Sequence, residues 1–290
     1  MTVGVVTDSS ADLAPAVLAE LSIVAVPLKV RFGEEEFIDG VDLSPEEFWA
    51  RLRVSDETPK TTSPSPGDFE QAFARLDAQG ASGIVCLTLS SKVSATYQAA
   101  RVAAENFTGR CPVALVDSLS VSAGLGNLCR AAARRAAQGI DLKKIVFEVE
   151  QLRSTVAYYG AVETLEYLRR GGRIGAATAL LGNALSIRPL LHFEQGTVEV
   201  AGKVRTRQNS FAWIAERLEA DYPFESLTAF HADASDADAF VAMLAARVPQ
   251  QKIDVILMGP VMGTHLGPGT VGVTYFKAAR ERGASDSGLR

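Results

Sequence analysis

Residues 84–100 read IVCLTLSSKVSATYQAA. Ile84 to Leu89 is an apolar run of strand length, suited to burial on both faces of a sheet. Small hydroxyl residues follow at once: Ser90, Ser91, Ser94 and Thr96. From Tyr97 to Glu105 the chain is rich in alanine and reads as a helix. A strand that ends in a hydroxyl-rich turn opening a helix also has anion-binding geometry. The first N–H groups of the helix lack intrahelical partners, and the helix dipole favours negative charge there. The competing reading is that Ser91 or Ser94 serves only as an N-cap.

Two flanking stretches repeat the pattern. Val3 to Thr7 is a short apolar strand followed by Asp8, Ser9 and Ser10. Val113 to Val116 is another, followed by Asp117, Ser118, Ser120 and Ser122 and then a helix from Ala123 to Ala137, rich in Ala and Gly. In a parallel sheet with short connections, these three polar ends converge on one rim, where open α/β sheets bind ligands. The fold class is therefore α/β, with a parallel-sheet domain at the N-terminus.

Between the first and central strands, a helix is predicted over Asp12 to Leu21 and an alternating strand over Ile23 to Phe32. Gly33 to Gly40 reads as an acidic hairpin turn. Ser44-Pro45 followed by two glutamates starts a helix that runs to about Arg53. Thr58 to Pro66, TPKTTSPSP, is an extended loop, and Ser65 with Asp68 makes a capping box for the helix Pro66 to Gln79. Thr61 and Thr62 stand just before it.

A helix over Asp141 to Ser154 precedes a domain boundary. A second α/β unit then runs through the strand Ala157 to Val162, a short helix Leu165 to Arg170, and the turn Arg169 to Gly175, RRGGRIG. Arg173 sits at that turn, either as a solvated charge or as an anion holder, before a helix predicted over Ala176 to Leu185. Gln195–Gly196 marks a hairpin. Lys203, Arg205 and Arg207 alternate and would share one face of an extended segment. Gly259 to Gly272, GPVMGTHLGPGTVG, is predicted as a glycine-rich loop around His265.

The known catalytic signatures are mostly absent. His192, His231 and His265 lack metal spacing, and neither a GxSxG elbow nor a GxxxxGK[ST] phosphate loop occurs. The net charge is −5 and the basic residues are scattered, which argues against a nucleic-acid surface. The apolar runs are too short to span a bilayer, the N-terminus does not read as a signal peptide, and three cysteines without CxxC spacing read as buried thiols. A cytoplasmic location is expected.

In order along the chain, VTDSSADL, PKTTSPSPGDF, LTLSSKVSATYQAA, VDSLSVSAGLG, LEYLRRGGRIG and MGTHLGPGTVGV resemble the DegV family of bacterial fatty-acid-binding proteins. The resemblance implies two α/β domains, residues 1–155 and 156–282 with a tail over 283–290, and a long-chain fatty acid held between them. It implies that Thr61 and Ser94 bind the lipid carboxylate, with Thr62 and Ser91 as neighbours. Arg173 and His265 would lie near a phosphorylated head, and Arg205 would contact a partner. Ala95 stands where the family has glycine, which adds a methyl group at the turn. The implied role is a carrier without a cofactor. It presents the fatty acid to a separate fatty-acid kinase and carries the acyl phosphate towards an acyltransferase. The other class kept open is a hydrolase or phosphotransferase using a serine and His265.

Overall fold

The computed structural model describes residues 2–180 and 187–278. Strand β1 (Val3–Asp8), helix α1 (Pro15–Glu20) and strand β2 (Ile23–Val26) come first, then the short strands β3 (Lys29–Phe32) and β4 (Glu35–Ile38). Helix α2 (Pro45–Val54), strand β5 (Lys60–Thr62) and helix α3 (Pro66–Ala78) lead into β6 (Gly83–Thr88), α4 (Thr96–Asn106), β7 (Val113–Asp117), α5 (Ser122–Ala137) and α6 (Leu142–Arg153). Strands β2, β1, β6 and β7, in that order, form a parallel sheet. Strand β6 is buried throughout. Alternation sends Val85 and Leu87 to the α5 and α6 side and Ile84 and Cys86 to the α3 and α4 side.

Local chemistry sets the helix starts. Ser44 with Glu47 and Ser65 with Asp68 form complete capping boxes, each followed by proline in the first turn. On α5, a methyl group at Gly126 would lie 2.6 Å from the Ala11 carbonyl oxygen. Glycine there lets the helix approach the loop after β1.

The second half contains β8 (Val156–Ala161), α7 (Glu166–Arg170), β9 (Arg188–Glu194), β10 (Thr197–Val204), α8 (Arg207–Ala220), β11 (Phe224–His231), α9 (Ala237–Arg247), β12 (Asp254–Leu257), α10 (Pro260–Leu266) and β13 (Val271–Lys277). Its six-stranded sheet has the order β10-β9-β8-β13-β11-β12. Only the β11–β12 pair is parallel. The β9–β10 turn has positive φ at Gln195 and Gly196, as a tight hairpin requires. A third, antiparallel sheet, β4-β3-β5, pairs Val30 with Thr61.

Several expectations need correction. The stretch Ile23 to Phe32 is two strands in different sheets, parted at Pro27, which has no N–H for a ladder. Asp12 has left-handed backbone, φ 51°, so the α-helix begins only at Pro15. The predicted loop 259–272 contains α10, with Pro260 in its first turn. Arg207 does not share a face with Lys203 and Arg205. It starts α8, and its guanidinium donates to Asp236 and Glu163. Of the helix predicted over Ala176 to Leu185, Gly175–Leu180 is a 3-10 turn and 181–185 lie outside the described residues, as does the 283–290 tail.

The halves are joined by specific contacts. The Trp49 indole N–H donates to the Met258 carbonyl at 2.9 Å, and the Asn127 amide donates to the Ser226 carbonyl at 2.8 Å. Phe48 and Trp49 are almost wholly buried. Aromatic burial of that kind contributes about 2–3 kcal/mol per side chain.

Candidate ligand-binding cavity

Thr61 enters the site from β5. In extended backbone, neighbouring side chains point to opposite faces. Thr61 and Ser63 line a cavity between the two halves, while Thr62 faces outward and is exposed. Thr62 is therefore outside the cavity, contrary to its expected place beside Thr61. Ser63 was not singled out from sequence, although its spacing of two from Thr61 was the available signal.

His265 reaches Thr61 from α10, with Nε2 2.9 Å from Thr61 Oγ1. Its pKa is pushed down to about 4, chiefly by burial and then by the Arg173 charge. The imidazole is thus neutral at pH 7. Nδ1 is buried and has no partner among the described residues. A buried N–H without an acceptor is rarer than an under-used acceptor, which places the proton on Nε2. That nitrogen then donates to Thr61 Oγ1, and the Thr61 hydroxyl proton remains available. Nδ1 packs against Gly171, where a methyl group would lie only 2.3 Å away.

Ser94 comes from the turn before α4. Its Oγ lies 3.1 Å from Ser63 Oγ and 2.9 Å from Thr96 Oγ1, and it accepts from the Thr96 N–H at 3.3 Å. Ser94 is thus not the N-cap of α4; it braces the turn from the residue before the cap and also lines the cavity. Ala95 itself is the N-cap residue, with φ −79° and ψ −1°, a conformation that needs no glycine. Arg173 donates from Nε to the Val93 carbonyl and from Nη1 to the Gly171 carbonyl, which holds its guanidinium at the same end.

The rest of the wall is mostly apolar, with Tyr158, His192 and Thr270 as its other polar-bearing residues. Leu28, Leu89, Phe193, Phe230, Val261 and Met262 are among the lining residues. Tyr158 stacks on Phe230 at 4.7 Å, which fixes that part of the wall. The site pairs a hydroxyl-rich end carrying one guanidinium with a mostly apolar lining. Such an end can hold an anionic head through several donors.

The structure brings Thr61, Ser94, Arg173 and His265 together. Ser91 is exposed on an adjoining cleft that also includes Lys92, Ser94 and Arg173, and it does not line the main cavity. Arg205 is exposed in the turn between β10 and α8, also away from the cavity lining. The three serine-rich strand ends do share one rim, but most of their polar groups are spent internally. Ser118 Oγ donates to the Ser120 carbonyl and accepts from the Ser120 N–H, Ser90 Oγ donates to the Gly196 carbonyl, and Asp8 accepts from the Leu89 N–H. Ser94 is the residue from these turns that offers a hydroxyl to the cavity.

Among the described residues, no cluster of three or more His, Cys, Asp or Glu side chains could hold a metal ion. No described helix is long and apolar enough to cross a membrane.

Comparison with known proteins now bears on the cavity. A DegV domain-containing protein of Streptomyces coelicolor is 38% identical over 278 residues, covering 93% of this chain and 97% of that protein. One from Halalkalibacterium halodurans is 31% identical over 283 residues, covering 94% and 98%. Among solved structures, a DegV family protein from Thermus thermophilus described for fatty acid binding has a TM-score of 0.86 at 32% identity, covering 96% of this chain and all of that one. DegV from Bacillus subtilis, described as a fatty acid binding protein, has a TM-score of 0.87 at 28% identity, with the same coverage. The sequence profile described as "Uncharacterised protein, DegV family" spans residues 2–278. This chain belongs to the DegV family.

Proposed function

We propose that the protein binds a long-chain fatty acid non-covalently, presents it to a separate fatty-acid kinase and carries the resulting acyl phosphate to an acyltransferase. The observation that carries the binding step is one cavity with hydroxyls at one end and an apolar body. The Thr61 and Ser94 hydroxyls hold the carboxylate, and Arg173 offsets its charge. Burying ~14 methylenes at about 0.8 kcal/mol each gives an upper bound of ~11 kcal/mol for the tail. That is ample for tight binding without a cofactor or a chemical step. Residues 1–155 and 156–282 would be the two domains that enclose the ligand. Exposed Arg205, together with Ser91 and Lys92 in the adjoining cleft, offers polar contacts for a kinase.

The hydrolase reading has its closest support in the Thr61–His265 contact. It is weakened because His265 Nδ1 lacks the carboxylate partner that orients a catalytic histidine. Organic extraction of protein purified from a bacterial host, followed by mass spectrometry, tests the carrier reading. Near-stoichiometric long-chain fatty acid is expected. Protein that carries none and fails to bind added fatty acid would refute it.

A further inference from the structure

Ser63, Ser94 and Thr96 form a chain of hydroxyls at the polar end of the cavity. Ser94 Oγ lies 2.9 Å from Thr96 Oγ1 and 3.1 Å from Ser63 Oγ. Thr96 is fully buried in the first turn of α4, and its hydroxyl meets no other partner among the described residues. A buried hydroxyl proton without an acceptor is costly, so Thr96 donates to Ser94. Ser94 Oγ also accepts from the Thr96 N–H at 3.3 Å. Both of its lone pairs are then filled. Ser94 is left to donate, and Ser63 Oγ is the acceptor beside it. Ser63 has no second partner among the described residues, so its own proton is free for the cavity that it lines. Donation therefore runs one way, from Thr96 to Ser94 to Ser63, and each link strengthens the next donor.

Ser63 also stands where a carboxylate can use that proton. It comes two residues after Thr61, directly beyond β5, and both residues line the cavity. Pro64 follows it and favours extended backbone at Ser63. Two residues of extended chain span about 6.6 Å. That interval seats one carboxylate between two hydroxyls, each about 2.6 Å from one of its oxygens. Thr61 Oγ1 accepts from His265 Nε2–H, so its proton too is free for the ligand. Thr61 and Ser63 thus present two protons side by side from one rigid segment, and each has a donor behind it.

We propose that Ser63 is a direct ligand of the fatty-acid carboxylate, paired with Thr61 across its two oxygens, and that Ser94 and Thr96 are positioning residues behind it. The inference rests on the fatty-acid reading above and sharpens it at the head group. Ser94 holds the carboxylate through Ser63, and Thr96 fixes the direction in which both serines donate.

The test is carbon-13 NMR of carboxyl-labelled palmitate bound to the full chain, titrated with pH, together with displacement titrations for affinity. Ser63→Ala should weaken binding of the ionised acid about tenfold. The midpoint at which the bound carboxyl ionises should rise by about one pH unit, because the lost donor served the charged form. Hexadecanol has the same tail without a carboxylate, and its affinity should fall less than about threefold. Ser63→Thr keeps the hydroxyl and should restore both affinity and midpoint. Thr96→Val should raise the midpoint by a smaller step. Combined with Ser63→Ala it should add nothing, since Thr96 acts through that serine. Circular dichroism checks that each variant folds, and the Ser63→Ala result decides the assignment even if Thr96→Val does not. An unmoved midpoint in Ser63→Ala, or equal losses for acid and alcohol, would refute Ser63 as a ligand. Additive losses in the double variant would refute the relay. If wild type binds no palmitate at any pH, the carrier reading itself falls, a result distinct from either of these.

Discussion

Replacing Thr61 by valine removes one oxygen and keeps the branched shape, so the three-residue strand β5 should survive. Two interactions are lost. The His265 Nε2–H, 2.9 Å from Thr61 Oγ1, is left without its acceptor. A buried donor without a partner costs about 1–3 kcal/mol. The ligand carboxylate also loses a donor, and hydrogen bonds to charged groups are worth about 1.5–3 kcal/mol. The first loss lowers the stability of the empty protein, and the second appears only when an anionic head is present. Fatty-acid affinity should therefore fall by about ten- to a hundredfold, at about 1.4 kcal/mol for each factor of ten. A fatty alcohol of the same length separates the two contributions, since it has the same tail and no carboxylate. Displacement titrations with both ligands should show a large loss for the acid and a small one for the alcohol. Equal losses for the two, or no loss for the acid, would refute the assignment of Thr61 to the head group.

Three other outcomes are expected. Ser94→Ala should weaken fatty-acid binding by about tenfold while melting close to wild type, because Ser94 is only partly buried and its hydroxyl partners lie in one local cluster; a calorimetric titration with a melting curve checks both. Gly263→Leu should destabilise the protein by at least about 1–3 kcal/mol and abolish lipid binding, since the added side chain meets Phe48 and Trp49; chemical denaturation measures it. Asp39 is almost fully buried, and desolvation pushes its carboxyl up to about 7 from an ordinary value of 3.8. The folded state then binds the proton more tightly than the unfolded state. Its contribution to stability is present at acidic pH and lost as pH rises from about 4 through about 7. Asp39→Asn should raise stability at pH 8 by roughly 2–4 kcal/mol and leave it nearly unchanged at pH 4, as denaturant melts at the two pH values will show.

Much of the framework was legible because its causes are local. The run Ile84–Leu89 is apolar at every position, which matches a strand covered on both faces. Ser44–Glu47 and Ser65–Asp68 announce helix starts through hydrogen bonds that span only three residues. Gln195–Gly196 announces a hairpin because few residues accept positive φ. Helix α10 was not legible in this way. Its glycines and prolines read as a loop, since glycine costs about 1 kcal/mol in a helix interior relative to alanine. Packing of Gly263 on Phe48 and Trp49 outweighs that preference, and those aromatics lie more than two hundred residues away in sequence.

The amino-acid sequence alone determined which residue types were available for the proposed head-group site: hydroxyls at Thr61 and Ser94, a guanidinium at Arg173 and an imidazole at His265. It did so because strand ends, caps and turns are written in short-range chemistry. Only the tertiary structure decided that Thr61 meets His265 across 204 positions, that Thr62 and Ser91 turn away from the cavity, and that the Ser90 hydroxyl is spent on the Gly196 carbonyl of the distant β9–β10 hairpin. Those outcomes depend on the packing of two sheets and one short helix, and no local hydrogen bond or periodicity encodes that packing.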